Sequence, residues 1–192
     1  MYDLWEGMRK HDKDLADEIL EPTFTFMRAQ TDKARLEMRE LGQYLEYRER
    51  DVGKALLSAL MRFAMDIRLP AAEITLMTPL ERNCSKHTSS VNDIYSFDKE
   101  LRTSQMGHAE SAAVCSAVSV LATETGLSVE ACKRVLWAMV REWEAVHDEL
   151  VESVQNTGRI SEAAKLYMKG LEYQMSGNEL WSHSTLRYSK VE

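Results

Sequence analysis

In the segment Val91-Asn92-Asp93-Ile94-Tyr95-Ser96-Phe97-Asp98-Lys99-Glu100, the residues Asn92, Ser96 and Glu100 recur at every fourth position. On a helix that spacing stacks them in one stripe. Their side chains end in an amide, a hydroxyl and a carboxylate, so all three offer oxygen, the donor that a hard cation such as Mg²⁺ prefers. One formal negative charge is too little to hold a divalent ion tightly. Water and a phosphorylated substrate would have to supply the other ligands and the missing charge, so the stripe predicts a substrate-assisted metal site. Taken alone, the same stripe also fits a plain polar helix face. Asp93 and Asp98 lie off it and are expected to be solvated. His87, His108 and His147 form no cluster with Cys or Glu at zinc spacing, and none is read as a ligand.

The elements that would position the stripe are helical. Met1 to about Lys10 reads as a short helix. Asp12 or Asp14 caps the next, with Asp17 and Glu18 in its first turn. That helix passes Ile19, Phe24, Phe26 and Met27 towards Leu36, with Pro22 as a kink or restart. Tyr44 to Arg50 is a short charged piece. Asp51 caps an apolar helix in which Val52, Ala55, Leu56, Ala59, Leu60 and Phe63 recur at helical intervals. Leu69-Pro70 closes it, Met77-Thr78-Pro79 marks a turn, and the stripe's own helix runs from about Leu80 to Arg102. A polar loop is expected over Thr103 to Glu110, then a small-residue helix over Ser111 to Thr125. Ser128 caps a helix to about Val154, in which Trp137 and Trp143 are assigned to packing. Ser161 starts the last helix, to about Trp181. Short loops between long helices predict one all-α bundle of antiparallel neighbours.

Composition narrows the function classes. The chain has 192 residues with 24 Lys plus Arg against 31 Asp plus Glu, a formal charge of −7. A nucleic-acid partner is not expected, because phosphate binding needs a basic face. A hydrophobic share of 44% with 29% charged residues is a globular mix. No apolar run reaches the ~20 residues of a membrane span, and the first residues lack the pattern of a secretion signal. Cys84, Cys115 and Cys132 have no CxxC spacing and read as reduced thiols, which suits a cytoplasmic protein.

Asn92-Asp93, Ser96 and Lys99-Glu100 together have the form of the second metal motif of class I terpene synthases. Tyr47-Arg48-Glu49-Arg50-Asp51-Val52-Gly53 upstream and Arg187-Tyr188 downstream stand where that family places its diphosphate-sensing arginine and terminal Arg-Tyr pair. Tyr47 to Phe63, Lys133 to Asp148 and Lys169 to Glu179 further resemble the fungal aristolochene synthases, and the resemblance covers essentially the whole chain. It implies a class I terpene synthase bundle and cyclisation of (2E,6E)-farnesyl diphosphate to a bicyclic hydrocarbon, aristolochene. Three Mg²⁺ ions are implied, one of them held by Asn92, Ser96 and Glu100. Arg48, Lys99 and Arg187 would donate charge-assisted hydrogen bonds to the diphosphate, joined by the Tyr188 hydroxyl. Asp51 would link Arg48 to a backbone carbonyl near Val52 that faces the hydrocarbon chain, a role compatible with capping. Phe26 and Trp181 stand where the family has cavity aromatics, whose faces stabilise cations, although an aromatic at helical spacing is equally a core residue. A homo-oligomer is an allowed assembly.

The family's first metal motif is an aspartate-rich segment, and nothing before Arg48 fits it: Asp12-Lys13-Asp14 and Asp17-Glu18 sit at a helix start. Residues 1–192 are therefore expected to be the C-terminal part of a class I terpene synthase domain, a bundle incomplete at its N-terminus. Alone they are expected not to cyclise the substrate. The alternative from another function class is a non-catalytic helical remnant.

Overall fold

The computed structural model describes residues 2–33, 37–105, 115–158 and 160–188, and every regular element among them is helical. The elements are α1 (Tyr2–His11), α2 (Lys13–Asp17), α3 (Leu20–Thr31), α4 (Leu41–Asp51), α5 (Lys54–Ala64), α6 (Ala71–Gln105), α7 (Ala117–Thr125), α8 (Val129–Asn156) and α9 (Glu162–Ser184). The expected caps at Asp12, Ser128 and Ser161 form, each side chain accepting from the backbone N–H three residues on. Pro22 falls in the first turn of α3, where its missing N–H costs nothing. Among the described residues no helix is long and apolar enough to cross a membrane.

Several expectations need correction. No turn forms at Met77-Thr78-Pro79: α6 runs unbroken from Ala71 with Pro79 inside it. Burial of Met77 and Leu80, at 1% and 0% exposure, holds that stretch helical despite the lost N–H. Asp51 does not cap α5. It is the last residue of α4, and Gly53 opens α5 at φ +73°, the left-handed region that glycine enters without strain. The helix expected from Asp12 onward is broken between α2 and α3, and its end at Ala34–Leu36 lies outside the described residues. Thr103–Gln105 extend α6 rather than starting a loop. Met106–Val114, covering the rest of that loop and the start of the next expected helix, also lie outside, and α7 begins at Ala117 behind a capping box of Ser116 and Ser119.

α6 is the axis of the bundle. One core surrounds its C-terminal half, where Val91, Ile94 and Phe97 meet Tyr44 and Leu45 of α4, Val118 and Leu121 of α7, and Leu136 and Val140 of α8. A second surrounds its N-terminal half, where Met77, Leu80 and Cys84 meet Val154 of α8 and Tyr167, Met168 and Leu171 of α9. α8 is thus antiparallel to α6. α9 is not: Glu73 meets Ser161, Cys84 meets Leu171 and Tyr95 meets His183, so α9 runs parallel to α6, contrary to the all-antiparallel expectation. Between the two cores α6 carries a buried polar belt of Asn83, Ser85, His87, Thr88, Ser89 and Ser90.

Candidate diphosphate and metal site

The stripe on α6 lies in a half-buried setting. Asn92 Oδ1 accepts from Arg48 Nη2 at 3.0 Å, and Asn92 Nδ2 donates to the Tyr188 hydroxyl at 2.7 Å. One turn on, Ser96 is 3% exposed, and its hydroxyl lies beside the Glu100 carboxylate. Burial raises the Glu100 carboxyl above the ordinary range, while the Ser96 hydroxyl, Arg48 and Lys99 pull it back and Asp93 adds to the rise. An amide oxygen, a buried hydroxyl and a carboxylate on successive turns fit a hard divalent cation.

Arg48 reaches the stripe from the last turn of α4. Its Nε and Nη2 donate to Asp93 Oδ1 at 3.2 and 2.8 Å, and its Nη1 pairs with Asp51. Burial works against its charge, but Asp93, Tyr44 and Asp51 outweigh it and hold the guanidinium more firmly protonated than usual. Asp51 also accepts from Gln30 Nε2 at 2.7 Å, and the same nitrogen donates to the Asp51 carbonyl at 2.7 Å. The chain then turns through Val52, whose N–H donates to the Arg48 carbonyl at 2.8 Å, into Gly53. Phe26 of α3 lies against this turn: a Cβ on Gly53 would stand 3.0 Å from its Cδ2.

Asp93 corrects the expectation that it is solvated. It is 2% exposed, and its Oδ2 accepts from the Tyr44 hydroxyl at 2.6 Å and from the Ala117 N–H at 2.7 Å. One residue beyond Asn92 turns about 100° round the helix, which aims the carboxylate at α4 and at the start of α7. The Tyr44 phenol is pushed well up, first by burial and then by Asp93. Tyr44 and Arg48 are one turn apart on α4, and that spacing was the signal by which Asp93's partners could have been found. Asp98, by contrast, is exposed as expected and pairs with Lys133 at 2.9 Å.

The other anticipated residues gather less tightly. Trp181 packs edge-on against Tyr188, ring centroids 5.6 Å apart and planes at 82°, with nearly half its surface exposed. Burial raises the Tyr188 phenol, and the neighbouring Arg187 charge opposes that rise. Arg187 itself is exposed, and Lys99 is half-buried within electrostatic reach of Glu100. The structure therefore joins Arg48, Asp51, Asn92, Tyr188 and Trp181 through direct contacts. It sets Ser96, Glu100 and Lys99 on the adjacent turns and Phe26 beside Val52-Gly53. His87 was left outside any cluster, yet it meets Glu144 and Glu179 across helices; His108 lies outside the described residues.

The chain is 65% identical over 190 residues to aristolochene synthase of Penicillium roqueforti, covering 98% of this chain and 56% of that protein. It is 56% identical over 191 residues to aristolochene synthase of Aspergillus terreus, covering 100% and 60%. The crystal structure of the Penicillium roqueforti enzyme superposes with a TM-score of 0.82 at 63% identity, over 96% of this chain and 60% of that one. The chain thus spans a little over half the length of the curated relatives it matches. Residues 1–145 match the family described as terpene synthase family 2, C-terminal metal binding, and the chain belongs to that family.

Proposed function

We propose that this chain serves a sesquiterpene cyclase that converts (2E,6E)-farnesyl diphosphate to aristolochene. The observation that carries the reading is the unbroken contact path Asp51–Arg48–Asn92–Tyr188 running onto an all-oxygen stripe. Asn92 Oδ1, Ser96 Oγ and Glu100 are the residues that would hold one Mg²⁺, of three in the complete site. When bound, Mg²⁺ supplies the positive charge that draws electrons onto the departing diphosphate. Around it Arg48, Lys99 and Arg187 donate to the diphosphate oxygens, with Tyr188 as a neutral donor. These bonds strengthen as the leaving group gains charge, so they favour the transition state over bound substrate. Arg48 is tied to Asp51 and Asn92 in this state. Diphosphate would compete for those guanidinium protons, and a shift of Arg48 would be passed through Asp51 to the Val52 turn beside the hydrocarbon chain. Phe26 and Trp181 would present ring faces to the cations and keep water away from them. A cytoplasmic location belongs to the same reading.

The test is a chimera in which these 192 residues replace the matching stretch of the Penicillium roqueforti enzyme. Incubated with farnesyl diphosphate and Mg²⁺, it is expected to yield aristolochene by gas chromatography. Glu100→Gln in that chimera should lower kcat by roughly 100-fold or more, the scale of removing one preorganised charge-stabilising contact. A folded chimera that makes no hydrocarbon, or one indifferent to Glu100→Gln, would overturn the reading.

A further inference from the structure

On the opposite side of α6 from the stripe, three helices bring metal-binding side chains together. At about 100° per residue, His87 lies half a turn round the helix from Ser96. Its Nε2 is 3.1 Å from Glu144 Oε1 of α8 and 4.0 Å from Glu179 Oε2 of α9, and the ligand atoms of the three residues all lie within 4.8 Å of one another. A tetrahedral ion with bonds of ~2.1 Å holds its ligand atoms ~3.4 Å apart. Only small side-chain adjustments separate the observed spacing from that arrangement. We propose that His87, Glu144 and Glu179 form a binding site for a divalent transition metal of the zinc type, separate from the magnesium stripe.

One observation points to a ligand there, and a second to the charge that it would carry. His147, one turn from Glu144 on α8, is 1% exposed, and neither of its ring nitrogens has a hydrogen-bond partner. With Glu144 and Glu179 it lines a cavity of about 720 Å³ that also takes in Tyr95, Arg141 and His183. A buried imidazole with both nitrogens idle is a costly arrangement that a ligand in the shared cavity would relieve. Second, a positive charge already occupies the two carboxylates: Arg141 donates to both Glu144 and Glu179 from the solvent side, with half its side chain exposed. A metal ion would take over that charge while Arg141 swings out.

The donor set selects the metal. Imidazole with carboxylate suits Zn²⁺, Co²⁺ or Ni²⁺, whereas Mg²⁺ favours an all-oxygen shell. Occupancy would clamp α6, α8 and α9 at the polar belt, where the two cores do not reach.

The experiment titrates the metal-stripped chain with ZnCl₂ in the presence of excess MgCl₂, reading heat and thermal midpoint, and repeats it with CoCl₂ to read visible absorption. One Zn²⁺ per chain with a raised midpoint is expected, and Co²⁺ should give the d–d bands of a low-coordinate N/O site. Removing an outer partner of a ligand costs 10–100-fold in affinity, so His87→Ala and Glu179→Gln, which remove ligands themselves, should each weaken binding by more than ~100-fold. Glu179→Gln, on the rim, keeps the test readable if His87→Ala unfolds. Arg141→Ala removes the competing cation and should tighten Zn²⁺ by about fivefold, the worth of a partly exposed ion pair. Glu100→Gln should leave Zn²⁺ binding intact, which separates this site from the diphosphate reading. Folded protein that takes no Zn²⁺ against Mg²⁺, or binding that survives both Glu179→Gln and His87→Ala, would overturn the proposal.

Discussion

Arg48 sits among carboxylates and divides its N–H donors between Asp51, Asn92 and Asp93. In the proposed function, Asp51 and Asn92 are the contacts that diphosphate would displace. Asp93, fully buried and satisfied by Tyr44 and the Ala117 N–H as well, anchors the arginine to α4 and α7. Asp93→Ala would leave a buried guanidinium without its main counter-charge and the first N–H of α7 without an acceptor. Breaking a buried pair from one side costs about 3–5 kcal/mol, so urea unfolding should show a loss of that order; a change within error would mean that Arg48 finds other compensation. The stripe of Asn92, Ser96 and Glu100 was readable in the sequence because helical spacing is a local property. Asp93 was misjudged because its partners come from elements 24 and more residues away, and sequence distance hides such pairs unless the spacing of Tyr44 and Arg48 on α4 is weighed as well.

Among the elements, the α4–α5 junction decides where the Val52 backbone points. Gly53 stands at φ +73° with Phe26 against it, so the turn needs both a left-handed residue and the absence of a Cβ. Gly53→Ala should destabilise the fold by about 1–2 kcal/mol from backbone strain, with a further displacement of Phe26 that near-ultraviolet circular dichroism would register. An unperturbed stability would show that the junction tolerates a Cβ. The break itself was legible in the run of charged residues up to Asp51, but the capping role given to Asp51 was not correct, because its carboxylate is taken by Arg48, Tyr47 and Gln30. Pro79 misled in the other direction. A proline inside a helix is a fair signal of a turn when only the local chain is considered. Here the packing of Met77, Leu80 and Cys84 into the second core outweighs one missing hydrogen bond.

At the scale of the molecule, two apolar cores share one long helix and are divided by a polar belt, so the weak plane of the fold runs through His87 on α6 and His147 on α8. Thr88 and Ser89 are satisfied by carbonyls one turn back along α6, at 2.9 and 2.7 Å, and do not titrate. The histidines do. Burial lowers both from 6.5; Glu144 and Glu179 oppose this at His87, Glu172 and Asp148 oppose it at His147, and neither pair of carboxylates wins. Between the lowered folded values and 6.5 the unfolded chain therefore binds more protons than the folded one, and stability falls as pH drops through that window. Above about pH 6.5 the contribution is fully present. His147→Gln removes one titrating group while keeping a polar side chain in the belt. In metal-free buffer, urea midpoints measured from pH 7.5 down to 5 should fall less steeply for this variant than for the parent chain. Because acidic surface groups titrate equally in both proteins, the difference between the two slopes isolates the histidine. Parallel slopes would show that His147 is as easily protonated in the folded bundle as in the unfolded chain, and that the belt is open to water.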